Sequence, residues 1–138
     1  MTITPYINLS GDAEDALEFY NKIFGGTTEI MRWSEMPPDP AMPLEEGWKN
    51  KIMHAALTIN ENLKIYLSDS FTQREAVHNS VVLHVVFDSE DTLRDAFAAL
   101  SEGGTVNMPV ESTFWGSVYG DVVDKYGTAW GLEYTLPE

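Results

Sequence analysis

The sequence predicts an α+β fold built from two βαβββ modules. Three observations carry that prediction. Two stretches place apolar residues at helical spacing, and each stops at a Gly-Gly-Thr triplet, Gly25-Gly26-Thr27 and Gly103-Gly104-Thr105. One β-prone run precedes each helix and three follow it. The second copy lies 78 residues after the first, measured from Gly26 to Gly104. Such doubling means two similar units sharing one sheet surface, neither standing alone. The expected organisation is a single domain over 1–138, with modules at about 1–69 and 79–138.

Taken in order, residues 2–9 form a short β-prone run whose Pro5 suits a strand start or edge. Asp12 is the candidate N-cap of the first helix, with Glu14 and Asp15 favourable in its first turn. Ala13, Ala16, Leu17, Tyr20 and Phe24 make the apolar stripe. A strand is expected over 27–33. Residues 36–47 hold Pro37, Pro38, Pro40 and Pro43 and no periodicity, so they are read as a long exposed loop, of the kind that serves as a lid or a partner-contacting arm. Strands at 51–59 and 63–68 join through Asn60-Glu61-Asn62 as a hairpin, and 69–78 reads as a linker. The second module repeats the order: a strand over 80–87, then Asp88-Ser89 capping a helix with Leu93, Ala96, Phe97 and Leu100 on one side. Strands at 105–108, 114–123 and 128–134 follow, the last two joined by a turn at Asp124-Lys125-Tyr126-Gly127.

Composition narrows the function classes. Eight basic against 22 acidic residues give a net charge of −14, which repels phosphate backbones and anionic lipid heads. Nucleic-acid and membrane-surface partners are therefore not expected. There is no cysteine, so disulfides, thiolate nucleophiles and cysteine-ligated zinc are excluded. No signal peptide is evident and no apolar run is long enough to span a bilayer, so a cytoplasmic protein is expected.

The most informative stretch is 113–130. Read with period two, Phe114, Gly116, Val118, Gly120 and Val122 share one face, and Trp115, Ser117, Tyr119, Asp121 and Val123 the other. Aromatic and polar groups on one face, opposite glycines that admit a close neighbour, suggest a pocket wall. A plain sheet core, with the aromatics as bulk, explains the same pattern.

Several motifs resemble the vicinal oxygen chelate superfamily, which includes glyoxalase I, bleomycin-resistance proteins and extradiol dioxygenases. They are Pro5-Tyr6-Ile7 with Gly11, the run from Ala16-Leu17-Glu18-Phe19-Tyr20 to Phe24-Gly25-Gly26, and Lys51-Ile52-Met53-His54-Ala55-Ala56-Leu57. Ser68-Asp69, Gly103-Gly104-Thr105-Val106-Asn107-Met108-Pro109 and Phe114-Trp115-Gly116 through Trp130 complete them. The closer resemblance is to the PhnB-like branch, some of whose members carry a demethylubiquinone methyltransferase description. The resemblance implies a curved mixed sheet around a cleft, helices on the outside, and a homodimer. In metal-dependent members it implies a divalent ion held by His or Glu from the first and fourth strands of each module, acting as a Lewis acid. Here the first-strand position falls at Pro5, the fourth near 66–68, the fifth near Val82 and the last at Gly131, none of them His or Glu. No metal is expected at the usual positions.

Other candidates are weaker. His54, His84 and a carboxylate such as Asp69 could make a different metal site, though their spacing does not point to one. Each histidine is equally read as a hydrogen-bonded structural group, His78 as a solvated linker residue, and Asp69 and Asp121 as a loop cap and an exposed strand residue. Arg32 and Trp33 together suit an anionic or planar ligand, or a solvated edge strand. Gly25-Gly26 and Gly103-Gly104 end helices, whereas phosphate cradles open them, and neither a Rossmann fingerprint nor a Gly-x-Ser-x-Gly elbow occurs. The expected function is binding of a small apolar or planar molecule in a metal-free cleft lined by Trp115, Tyr119, Trp130, Trp33, His54 and Arg32. The alternatives are a metal-dependent glyoxalase- or dioxygenase-like lyase or isomerase with relocated ligands, and a dimerisation or interaction module.

Overall fold

The computed structural model describes residues 1–41, 43–70 and 81–137. It divides into two compact units, Met1–Glu75 and Ala76–Glu138. The first contains β1 (Tyr6–Leu9), α1 (Ala13–Phe24), β2 (Thr27–Arg32), β3 (Ile52–Asn60) and β4 (Leu63–Asp69). The second contains β5 (Leu83–Val86), α2 (Glu90–Ser101), β6 (Thr105–Ser112), β7 (Ser117–Val123) and β8 (Ala129–Thr135). Their sheets have the same order, β1-β4-β3-β2 and β5-β8-β7-β6. In each, the first strand runs parallel to the fourth and the remaining neighbours are antiparallel. The doubling seen in the sequence is thus a doubling of βαβββ topology.

Each unit buries one face of its sheet under its helix. Ala13, Ala16, Leu17 and Tyr20 of α1 are buried with Ala55, Leu57, Ile65 and Leu67 of β3 and β4. Leu93, Ala96 and Leu100 of α2 are buried with Val118, Val122, Trp130 and Leu132 of β7 and β8. Each fully buried leucine contributes about 2 kcal/mol through removal from water. Phe97 adds a specific fit, because a Cβ at Gly120 would lie 2.8 Å from its ring. The close neighbour that Gly120 admits is therefore the helix.

The Gly-Gly pairs have divided duties. Gly25 and Gly103 take φ of 68° and 72°, the left-handed conformation that ends a helix without a Cβ clash. The second glycine of each pair lies against backbone: a Cβ would come within 2.5 Å of the Thr58 carbonyl at Gly26 and 2.3 Å of the Val123 carbonyl at Gly104. That contact seats the edge strand that follows.

Three sequence expectations need revision. Asp12 precedes α1 but its side chain makes no cap hydrogen bond; the buried Asp69 at the end of β4 takes that role. Asp69 Oδ1 accepts from the backbone N–H of Gly11 (2.7 Å) and Ala13 (2.9 Å), and Oδ2 from that of Ile52 (3.1 Å). Ser89 caps α2 as expected, accepting from Thr92 N–H. The strand expected from 114 begins at Ser117, because Thr113 to Gly116 form a tight turn in which Gly116 has φ of 87°. β6 in turn runs on to Ser112. The prolines lie between two short 3-10 turns, Trp33–Glu35 and Glu46–Trp48, and are exposed, as a surface loop requires. His78, most of the expected linker and Ser80 lie outside the described residues.

Replacing Asp69 with Ala leaves three backbone donors without their acceptor. Urea unfolding is expected to show a loss of about 3 kcal/mol or more for Asp69→Ala, against less than about 0.5 kcal/mol for Asp12→Ala. Equal losses would show that Asp12 is the true cap.

Candidate ligand site

The face of each sheet opposite its helix carries the polar and aromatic side chains. In the second unit, strand alternation sends Ser117, Tyr119 and Asp121 of β7, Gly131 and Glu133 of β8, and His84 of β5 to that open face. Glu133 is its centre. Oε2 accepts from the Trp115 indole N–H (3.1 Å) and the Ser117 hydroxyl (3.0 Å), and Oε1 meets His84 Nε2 at 3.3 Å. Those donors, Trp115 first, hold the Glu133 carboxyl below the usual glutamate range against the opposing effect of burial. Trp115 projects from the 113–116 turn and remains 57% exposed.

Tyr119 lies beside this group. Its ring stacks with His84 at a centroid distance of 6.0 Å and an interplanar angle of 23°, and its hydroxyl donates to Asp121 Oδ2 at 3.3 Å. Burial, then the charges of Asp121 and Glu133, raise its pKa, so the phenol stays protonated and acts as a donor. Gly131 makes room for it: a Cβ there would come within 2.6 Å of the Tyr119 hydroxyl oxygen.

Trp130 does not join them. It sits on the helix-facing side of β8, 1% exposed, with its indole N–H donated to the buried Asp124 at 2.8 Å. Trp130 and Glu133 differ by an odd number of positions along β8, which puts them on opposite faces. Arg32, Trp33 and His54 belong to the first unit. The Arg32 guanidinium grips Glu14 with both terminal nitrogens (3.1 and 2.8 Å) and also donates to the Asn50 carbonyl. That pairing lowers the Glu14 pKa and raises that of Arg32. Trp33 donates its indole N–H to the Asp69 carbonyl. His54 is on the open face of the first sheet, hydrogen-bonded through Nδ1 to the Tyr6 hydroxyl at 2.8 Å and edge-on to Tyr66.

The two open faces correspond. Tyr6 is opposite Tyr66 as His84 is opposite Gly131, and Ala56 is opposite Tyr66 as Asp121 is opposite Gly131. Two residues before Ala56 and Asp121 stand His54 and Tyr119. Each unit therefore carries one Tyr and one His on matching strands, with the two exchanged.

The family described as 3-demethylubiquinone-9 3-methyltransferase matches residues 1–133. The chain belongs to this PhnB-like family of the vicinal oxygen chelate superfamily. Protein PA1353 from Pseudomonas aeruginosa superposes with a TM-score of 0.84 at 29% identity, over 99% of both chains. The PhnB protein from Bacillus cereus does so with a TM-score of 0.78 at 25% identity, over 98% of this chain and 100% of its own. By sequence, the protein YjdN of Escherichia coli (strain K12) is 28% identical over 94% of this chain and 92% of its own length. A glyoxalase/bleomycin resistance protein/dioxygenase family enzyme from Burkholderia phytofirmans PsJN, 14% identical over 95% of this chain and 97% of its own with a TM-score of 0.62, shares the fold.

Metal-dependent members of the superfamily use the first and fourth strands of each unit. On those strands the open face of this PhnB-like chain presents Tyr6, Asn8, Tyr66 and Ser68 in the first unit, and His84, Val86, Gly131 and Glu133 in the second. Val82, the position counted from Phe87-Asp88, lies just before β5, which begins at Leu83, and the donors brought together in the second unit are His84 and Glu133. Two donors do not fit a four-ligand ion. Among the described residues no three His, Asp or Glu side chains are grouped to hold one. Asp69, considered as a ligand with His54, has both carboxylate oxygens committed to backbone N–H groups.

Glu133 was missed because its partners come from two other segments, Trp115 and Ser117 from one and His84 from the other; its only sequence signal was an acidic residue alternating with apolar ones in a strand. Since its folded pKa is lowered, its ionised form contributes stability that is present above the ordinary glutamate range and lost as pH falls through the lowered value. Glu133→Gln is expected to be less stable than the parent at neutral pH, with the gap closing as pH falls below the ordinary glutamate range. Thermal melts across pH check this, and a gap that stays constant would show that the carboxylate charge plays no part.

Proposed function

We propose that this PhnB-like protein binds a small planar or apolar molecule on the open face of its second sheet, against Trp115, Tyr119 and His84, without a chelated metal. The observation that carries the reading is the exposed Trp115, oriented through its indole N–H by an ionised Glu133 beside a stacked His–Tyr pair. An indole held rigid yet open to solvent offers a large contact area at little entropic cost. The few polar groups around it suit orientation of a bound ring. Methyl transfer, named in the family description, gains no support from the glycine pairs, which close helices here and so lack the geometry of a nucleotide cradle.

A second reading is favoured by one observation. His84 and Glu133 are side chains of metal-binding type already in contact, and an ion completed from elsewhere would make the protein metal-dependent. We also infer a homodimer, supported by the apolar Val106 and Met108 exposed on the edge strand β6.

Titration with naphthol, followed by quenching of tryptophan fluorescence, tests the first reading. Binding is expected, weakened about tenfold or more by Trp115→Ala, and unchanged by EDTA. Metal assay of untagged protein separates the two. About one divalent ion per chain, with a melting temperature that falls on chelation, would replace the binding reading with the metal-dependent one.

A further inference from the structure

Resting on the aromatic site just described, we infer what its ligand carries: a hydrogen-bond donor such as a phenolic hydroxyl, received by Nδ1 of His84 while Glu133 holds the other ring nitrogen. An ionised carboxylate has only acceptor sites, so His84 Nε2, 3.3 Å from Glu133 Oε1, bears the hydrogen. A neutral imidazole has a single N–H, which leaves Nδ1 as a bare lone pair. Among the described residues Nδ1 has no partner, and the side chain is 47% exposed. The Tyr119 hydroxyl does not compete for it, because its hydrogen goes to Asp121.

Charge selects the same class. Asp121 and Glu133 lie on this face, and β5, β6, β7 and β8 contain no Lys or Arg, so a carboxylate or phosphate would be repelled. A flat ring lying along Trp115 and Tyr119 can present a neutral O–H or N–H edge to Nδ1 without that penalty. Glu133 acts here as a positioning residue. It fixes the imidazole tautomer with one oxygen and holds Trp115 with the other, and reaches the ligand only through those side chains.

The test begins on the parent protein. Nitrogen NMR in mildly alkaline solution is expected to show the Nε2–H tautomer for His84. Fluorescence titration is expected to show naphthol binding about tenfold tighter than its methyl ether, which keeps the ring and lacks the donor. Glu133→Gln frees the imidazole to switch tautomers, and the preference for naphthol over its ether should fall to about twofold; any change it makes through Trp115 shifts both probes alike and leaves that ratio untouched. If that variant does not fold, His84→Phe keeps a ring, removes Nδ1 and should abolish the preference. The Nδ1–H tautomer in the parent protein, or equal binding of the two probes, overturns this inference and leaves the aromatic site standing. Binding of neither probe overturns both.

Discussion

Each unit closes around a buried aspartate that exchanges water for three N–H donors, and the orientation of everything else follows from those two carboxylates. Asp69 is fully buried and accepts from Gly11, Ala13 and Ile52, tying the end of β4 to the start of α1 and the start of β3. Asp124, 3% exposed, accepts from the backbone N–H groups of Tyr126 and Thr128 and from the Trp130 indole. A buried carboxylate is tolerated only when its lone pairs are filled, so each set of donors is held with little freedom. In the first unit this fixes which side of the sheet the helix covers. In the second it draws Trp130 inward, and period-two alternation then sends Gly131 and Glu133 outward. The open face that gathers His84, Trp115, Ser117 and Tyr119 around Glu133 is thus a consequence of where Trp130 is anchored.

That chain of causes explains what the sequence made legible. Helical stripes and paired glycine stops are local signals, each written within about a dozen residues, and the repeated strand order is a succession of such signals. They led correctly to two βαβββ units, and the matched motifs led to the family. Face assignment in the last quarter was half legible. Tyr119, Ser117 and Asp121 do share a face, but the alternation assumed from Phe114 is broken at Gly116, whose positive φ turns the chain. Phe114 consequently lies 97% exposed at the turn, away from the core stripe to which period two assigned it.

Long-range partners were not legible, for a physical reason. Trp130 and Trp115 are equally large and equally aromatic; only the register of β7 against β8, and the hydrogen bond to Asp124, separates a core indole from an exposed one. Arg32 likewise presents a ligand-binding fork in sequence and an occupied one in space, because Glu14 is brought across from α1. The cap of α1 comes from a residue 56 positions away along the chain. Sequence spacing constrains neighbours on one element and leaves contacts between elements open.

The two open faces differ in how their matching side chains are partnered. Matching strands hold Tyr6 with His54 in the first unit and His84 with Tyr119 in the second, so the aromatic and imidazole chemistry is retained while the residues exchange strands. The position that holds Tyr66 in the first unit is Gly131 in the second. A ring at that position fills the space over the fourth strand, and its absence lets Tyr119 lean across and meet His84. The first unit directs His54 Nδ1 at a tyrosine of its own sheet, so its hydrogen-bonding capacity on that side is spent internally. In the second unit the imidazole is instead tethered by a carboxylate on the fourth strand, and the opposite ring nitrogen is left facing away from the tether. One Tyr-to-Gly difference, together with a carboxylate two residues further along the same strand, separates a histidine bonded to a tyrosine from one bonded to a carboxylate.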